Sequence, residues 1–465
     1  MFLDKCLALV FSLMILGQAY VVRRFVGTWL FPACIFGLFW FGYTFVPLAI
    51  LFWVPVQPYA TLYIFLCTLA FSMGSLLFDW KTAFQRNAEK RETARVVYGS
   101  RFLKTVLYVS TVASLFFFVV NSFAQGFSLH DLVFDLMSSA TAYAEMRYSE
   151  TLNINIFGQL SFLCGFISAI IGGFIFSSVP TRMDRWRTVV LSFLPIMLIV
   201  ITQSVKWVLF LCIALFFGSL LAYRVSAGTL RLFEKGAFKT LAYSAAILIP
   251  ITVFSFLSRK ELAGADDADF IVNRLVWFFT SYICTHIYAF SDWFSFVLGG
   301  HSSMTYTRQG STYGFYTFMS LFRLMGDHRA VPLGLYDEYY SYGDVMVGNI
   351  YTMFRGLVQD FGVLGSLVFM SSSSLLFHSA FHGMLRNRKP VFTTTVFVFM
   401  VGYCFSSFGN SLLSSTSIYV AFLVIWLVLW INKRITQTSD RRLLSSQSAS
   451  NAGYITGLRI SSSGE

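Results

Sequence analysis

The stretch from Gly158 to Ser178, GQLSFLCGFISAIIGGFIFSS, carries no charged side chain. About 20 apolar residues in a helix are enough to cross the hydrocarbon core of a bilayer. Outward from this stretch, the same rule predicts spans near 5–21, 27–52, 60–79, 103–121, 158–178, 189–205, 207–223, 240–257, 360–380, 391–411 and 416–432. Composition agrees: 56% of the 465 residues are hydrophobic and 12% charged, against about 25% charged in an average soluble domain. A soluble fold needs a polar coat that this chain cannot supply. A soluble enzyme, a disordered chain and a disulfide-stapled secreted domain are therefore excluded. The apolar runs are continuous and do not alternate, which excludes a membrane β-barrel. The expected fold class is an all-α polytopic integral membrane protein with about 11 transmembrane helices.

The formal charge is +12, from 34 Lys and Arg against 22 Asp and Glu. Twenty-four of those 34 lie in alternate connections and in the tail. They include Arg23 and Arg24, seven residues between Lys81 and Lys104, Arg182 to Arg187, Arg224 to Lys239, Arg386 to Lys389, and Lys433 to Arg459. Such a bias marks cytoplasmic loops rather than nucleic-acid binding. It puts the N-terminus outside and the C-terminus inside, with Lys5 as the contrary residue. Residues 1–19 end in Gly17-Gln18-Ala19, a poor cleavage site, so an uncleaved first helix is expected. Six of the seven Cys lie in apolar runs and no C-x-x-C occurs, which argues against disulfides and zinc.

This reading divides the chain into four parts. Residues 1–257 hold eight spans, with a smaller outside loop at 122–157. Residues 258–359 form a large outside loop, 360–432 hold three spans, and 433–465 make a Ser-rich tail expected to be disordered. The large loop is rich in Trp, Tyr and Phe, so it is expected to be structured and to carry function. Phe270–Phe279 and Tyr313–Leu324 are expected to form helices lying on the membrane.

Motifs exclude several chemistries. No Walker A, H-E-x-x-H, G-x-S-x-G or G-x-G-x-x-G occurs, which leaves no sign of an ATP motor, a zincin or a dinucleotide fold. Asp267-Ala268-Asp269 matches a D-x-D metal motif but stands in an acidic patch with no nucleotide-binding domain around it. Charge at mid-span is nearly absent, which counts against an ion-coupled transporter. The large loop holds Arg259, Lys260, Arg274, Arg308, Arg323, Arg329 and Arg355. It also holds Glu261, Asp266, Asp267, Asp269, Asp292, Asp327, Asp337, Glu338 and Asp344. Arginine forks match phosphate oxygens, so an anionic substrate is expected, with salt bridges to those acids as the plain alternative. Lys206, in the short outside turn Thr202-Gln203-Ser204-Val205-Lys206, reads as a snorkelling lysine or as a phosphate contact at headgroup depth. His301 and His328 are candidates for a general base at neutral pH.

The run Gly348-Asn349-Ile350-Tyr351-Thr352-Met353-Phe354-Arg355, followed by Asp360-Phe361-Gly362-Val363-Leu364-Gly365, resembles a known signature. It is similar to the end of the large periplasmic loop of Wzy-type O-antigen polymerases, which join oligosaccharide repeat units. Gly314-Phe315-Tyr316-Thr317-Phe318 resembles an aromatic segment of the same loop, and the turn 202–206 resembles a short periplasmic turn of that family. Arg323 and Gly334 match a spacing found in some members.

The resemblance implies a GT-C-like fold in the bacterial inner membrane, with a periplasmic N-terminus and a cytoplasmic C-terminus. It implies transfer of a growing glycan from undecaprenyl pyrophosphate onto the next lipid-linked repeat unit. No nucleotide sugar, metal or other cofactor is implied. The partners would be the lipid-linked glycan, the bilayer and a chain-length regulator, with no nucleic acid. Fixed cations would meet the leaving pyrophosphate: Lys206, Arg323 and Arg355 first, Arg274 and Arg308 second. Asp360, Asp327, His328 and His301 stand as alternative bases, although Asp360 would equally cap and start the next helix. Asn349 and Tyr351 would orient sugar or support the loop. An O-antigen ligase or other lipid-linked glycosyltransferase, or a non-enzymatic transporter of lipid-linked glycan, is the competing reading.

Overall fold

The computed structural model describes residues 2–460 apart from 89–92, 150, 154, 234–236, 259–261, 263–266, 308, 309, 328, 330, 333, 388 and 389. It is a mostly helical, multi-pass membrane protein. Nine helices among the described residues are long and apolar enough to cross a bilayer. All eleven expected spans fall on helices; Phe392–Ser406 is a short one of 15 residues, and Ala237–Leu257 is a helix of 21 residues. In hydrocarbon each backbone amide must find its partner within the protein, which is why these segments are helical. Side chains cap several of the ends. Ser100, Asn155 and Thr181 accept from the amides of Leu103, Gly158 and Asp184.

Small residues let the spans approach closely. A Cβ on Gly172 would lie 1.7 Å from Ser192 Oγ, and one on Gly173 would lie 2.3 Å from the Phe216 carbonyl oxygen. Helices Ile156–Ser178, Arg182–Gln203 and Lys206–Ser226 therefore meet almost backbone to backbone. Pro58–Ser72 packs on the late helix Met353–Arg386. There Tyr63 donates to the Val363 carbonyl at 3.0 Å and the Gly74 amide donates to Ser374 Oγ at 3.0 Å.

The large loop departs from the expected picture in several ways. Its main element is one 30-residue helix, Ala268–Val297. The first third, where a membrane-surface helix was expected, has an exposed apolar side including Phe270, Val272 and Val276. The remainder is buried against the spans Pro32–Ile50 and Pro58–Ser72. Over 313–324 only Met319–Leu324 is helical, because Tyr313 and Gly314 both take positive φ and a turn replaces the helix start. A two-stranded hairpin, Tyr340–Tyr342 antiparallel to Met346–Gly348, adds the one sheet among the described residues of a chain expected to be all helical. The following helix begins at Met353, not near 360. The last helix runs Thr416–Ile460, through the tail expected to be disordered. No Pro or Gly interrupts it before Gly453.

Lys5 ties the loop to the spans. It is buried, and its Nζ donates to the Leu51 carbonyl at 3.0 Å and to Tyr288 Oη at 2.7 Å. The Gln57 amide donates to Ser291 Oγ at 2.8 Å. The start of the first helix and the large loop therefore share one end of the bundle.

Candidate functional site

The site is built on the first turns of Met353–Arg386. Its backbone is helical to Phe361 and then breaks at Gly362, where φ is 73° and ψ is 175°. Such a conformation suits glycine. The break leaves Met353–Phe361 as a short buried helix at the loop end of the bundle, with the membrane-crossing part beyond it. Arg355 and Asp360 both lie on this short helix and each is 1% exposed.

Arg355 stands in an aromatic box. Its guanidinium carbon lies 3.8 Å from the ring centre of Tyr336 and 4.1 Å from that of Tyr351. Trp293 and Tyr306 follow at 5.2 and 5.8 Å. Ring faces attract a cation, most strongly where water is excluded. In the guanidinium plane, Nη2 donates to Glu338 Oε2 at 2.7 Å. Nε and Nη1 are buried and make no hydrogen bond among the described residues. A buried charged donor without a partner calls for an explanation, and an anionic ligand supplies one.

Two carboxylates fold the loop around this box. Asp292 accepts from the Ser303 amide and hydroxyl, the Met304 amide and Tyr306 Oη, at 2.7 to 3.2 Å. Asp360 accepts from Thr312 Oγ1, the Tyr316 amide, and the Thr317 amide and hydroxyl, at 2.5 to 3.1 Å. Asp360 does not cap the start of a helix: it lies at the end of the short one, with both oxygens taken by the loop. That arrangement suits positioning rather than proton abstraction. Tyr316 stacks on Tyr336 at 5.3 Å, which joins the Asp360 clamp to the Arg355 box. Burial pushes the phenols of Tyr306, Tyr316, Tyr336 and Tyr351 above their ordinary range; for Tyr316 and Tyr336 the Arg355 charge is the main opposing influence.

The hairpin closes the box. The Val347 amide donates to Ser281 Oγ at 3.1 Å, which docks the hairpin on Ala268–Val297. Just before it, the backbone carbonyl of Glu338 accepts from Tyr351 Oη at 3.3 Å. Just after it, Asn349 Nδ2 donates to the Tyr336 carbonyl at 3.5 Å. Asn349 and Tyr351 thus support the loop, and the Tyr351 ring also lines the box.

The other candidates have different neighbours. Lys206 is buried with Nζ 4.1 Å from the Phe256 ring centre and 5.6 Å from that of Tyr282, and it donates to the Ser255 carbonyl at 3.2 Å. Arg274 lies 4.0 Å from the Trp277 ring centre. Arg323 is exposed at the end of Met319–Leu324. Asp327 pairs with Arg329 at 2.6 Å at the surface. His301 is exposed, and its backbone carbonyl accepts from Ser295 Oγ at 2.7 Å. Arg308 and His328 lie outside the described residues. Among the described residues no group of three or more His, Cys, Asp or Glu could hold a metal.

Sequence reasoning passed over Glu338, Asp292, Trp293, Tyr306 and Tyr336 as site residues. The signal was the density of tyrosine and acid in residues 336–342, YDEYYSY. No family model, curated protein or solved structure matches the chain.

Proposed function

We propose that this protein is a GT-C-like glycosyltransferase of the bacterial inner membrane. It polymerises undecaprenyl-pyrophosphate-linked repeat units into O-antigen or a related surface polysaccharide on the periplasmic side. One observation carries this reading: the buried Arg355, boxed by four aromatic rings, keeps two guanidinium nitrogens without a partner among the described residues, at the loop end of the bundle. A lipid-linked donor presents its pyrophosphate at that level, and aromatic rings suit sugar faces. The rings of Tyr336 and Tyr351 lie over the guanidinium, 3.8 and 4.1 Å from its carbon. The resemblance of 348–365 to the polymerase signature points the same way.

The test is deletion in the host, followed by gel analysis of the surface glycan. Loss of a ladder down to core plus one repeat supports polymerisation. Bare core supports a ligase or an exporter instead, and an unchanged ladder rejects the assignment.

A further inference from the structure

We infer that Glu338 is the general base that activates the acceptor hydroxyl, held in place by Arg355. The inference rests on the glycosyl-transfer reading above. It comes from comparing the carboxylates that the fold gathers around the box. Asp360 and Asp292 each accept four hydrogen bonds from the loop they fold. Their oxygens are committed to structure. Asp327 is occupied by Arg329 at the surface. Glu338 differs from all three. One oxygen, Oε2, takes a single hydrogen bond from Arg355 Nη2. The other, Oε1, accepts none among the described residues. The side chain is 19% exposed while its partner is 1% exposed, so Glu338 meets solvent where Arg355 does not.

A base needs a lone pair within reach of the substrate and a rigid mount behind it. Arg355 supplies the mount through Nη2 and leaves Nε and Nη1 for the leaving group. The guanidinium then spans base and leaving group, placing their oxygens roughly 5–7 Å apart at ordinary hydrogen-bond lengths. That separation leaves room for the acceptor oxygen and the anomeric carbon between them. In the step, the acceptor hydroxyl gives its proton to Glu338 Oε1. Its oxygen bonds to the anomeric carbon of the donor sugar. The bond from that carbon to the pyrophosphate oxygen breaks, and the electron pair leaves on the pyrophosphate facing Arg355.

Glu338→Gln removes the base and keeps the shape. The experiment places Glu338→Gln, Glu338→Asp and Arg355→Lys in the deletion host and purifies the full chain in nanodiscs. Transfer is read from the glycan ladder and from turnover of the lipid-linked repeat unit against pH. Binding is read with undecaprenyl pyrophosphate alone. Glu338→Gln is expected to lower turnover by about 10²–10⁴-fold, the range of a general base. Probe binding should be at least as tight as in wild type, because a competing anion is gone. Glu338→Asp should recover part of the turnover. Near-normal turnover in Glu338→Gln, or loss of probe binding as large as in Arg355→Lys, overturns the inference. If instead the wild-type protein neither binds the probe nor extends a glycan, the functional reading itself fails.

Discussion

Arg355 Nη2 donates to Glu338 Oε2 at 2.7 Å, joining a side chain 1% exposed to one 19% exposed. The pair runs from the buried end of a membrane helix to the rim of the large loop. A buried charge is costly unless paired, and here one carboxylate and four ring faces do the pairing.

Arg355→Lys is expected to keep the charge and lose the flat fork that fits the box. Lysine cannot lie between Tyr336 and Tyr351 and still hold Glu338 in the same plane. Glycan transfer should fall at least about tenfold, a loss of about 1.4 kcal/mol. Arg355→Ala should also destabilise, by about 2–4 kcal/mol, as contacts of about 0.5–2 kcal/mol each with the rings are removed. Thermal unfolding of the solubilised protein separates the two variants. Equal unfolding temperatures for Arg355→Ala and wild type would count against the box.

Asp360→Asn is expected to loosen the loop rather than to disable a base. Its amide would face one of the amide donors of Tyr316 and Thr317 with another donor, and the charge assistance would be lost. The cost should be about 3 kcal/mol, since hydrogen bonds to charged groups contribute about 1.5–3 kcal/mol each and do not add fully. Limited proteolysis should show faster cutting within 311–317. Unchanged stability with transfer abolished would return Asp360 to the chemistry.

Two glycines separate backbone strain from crowding. A Cβ on Gly362, at φ 73°, meets nothing within 4 Å. Gly362→Ala should therefore cost only the backbone penalty, about 1–3 kcal/mol for this essentially glycine-only conformation. A Cβ on Gly334, at φ 93°, would lie 2.3 Å from Asn349 Nδ2. Gly334→Ala should cost about 2–4 kcal/mol, a positive-φ penalty plus overpacking. Adding Asn349→Ala should recover the overpacking part alone. Thermal unfolding of the three variants checks this, and equal losses at the two glycines would refute it.

The box is expected to be labile to alkali. Burial raises the Tyr306 and Tyr336 phenols in the folded protein, while the unfolded chain releases these protons near pH 10. Their contribution to stability is fully present below pH 10. It is lost as the pH rises from there through the higher folded values. Tyr336→Phe removes one such proton and should reduce the alkaline loss between pH 9.5 and 11.5 in thermal unfolding. A slope identical to wild type would show that Tyr336 does not titrate with unfolding.

The spans were legible because length and hydropathy are local properties of the chain. The site was less so, for reasons visible in particular residues. Asp292 and His286 lower the hydropathy of Ala268–Val297, so a helix half buried against spans read as surface loop. Arg355 and Asp360 made 353–361 look polar, and only the donors at 312–317, brought in by tertiary folding, show what Asp360 holds. Glu338 was one of nine acids in its loop. Nothing in its neighbours along the chain marked it as the partner of a residue 17 positions later. Asn349, Tyr351 and Arg355 were legible together because they fall within one short motif.

Lys206 and Arg355 were both read from sequence as contacts for one pyrophosphate, and a double-mutant cycle on transfer decides whether they act together. Both touch the helix Ala268–Val297, Lys206 at Tyr282 and Arg355 at Trp293. Eleven residues of helix separate those contacts, about 16 Å at 1.5 Å per residue. A pyrophosphate is too small to bridge that length, so the two cations are expected to serve different groups. Sites this far apart usually add to within about 0.3–0.5 kcal/mol. The losses in log turnover for Lys206→Met and Arg355→Lys should therefore sum in the double variant. A coupling above about 1 kcal/mol would mean that one ligand grips both cations, and that the loop helix moves to let it. Additivity would leave Lys206 to hold the Ser255 carbonyl and its aromatic pair, and confine the leaving-group contact to the Arg355 box.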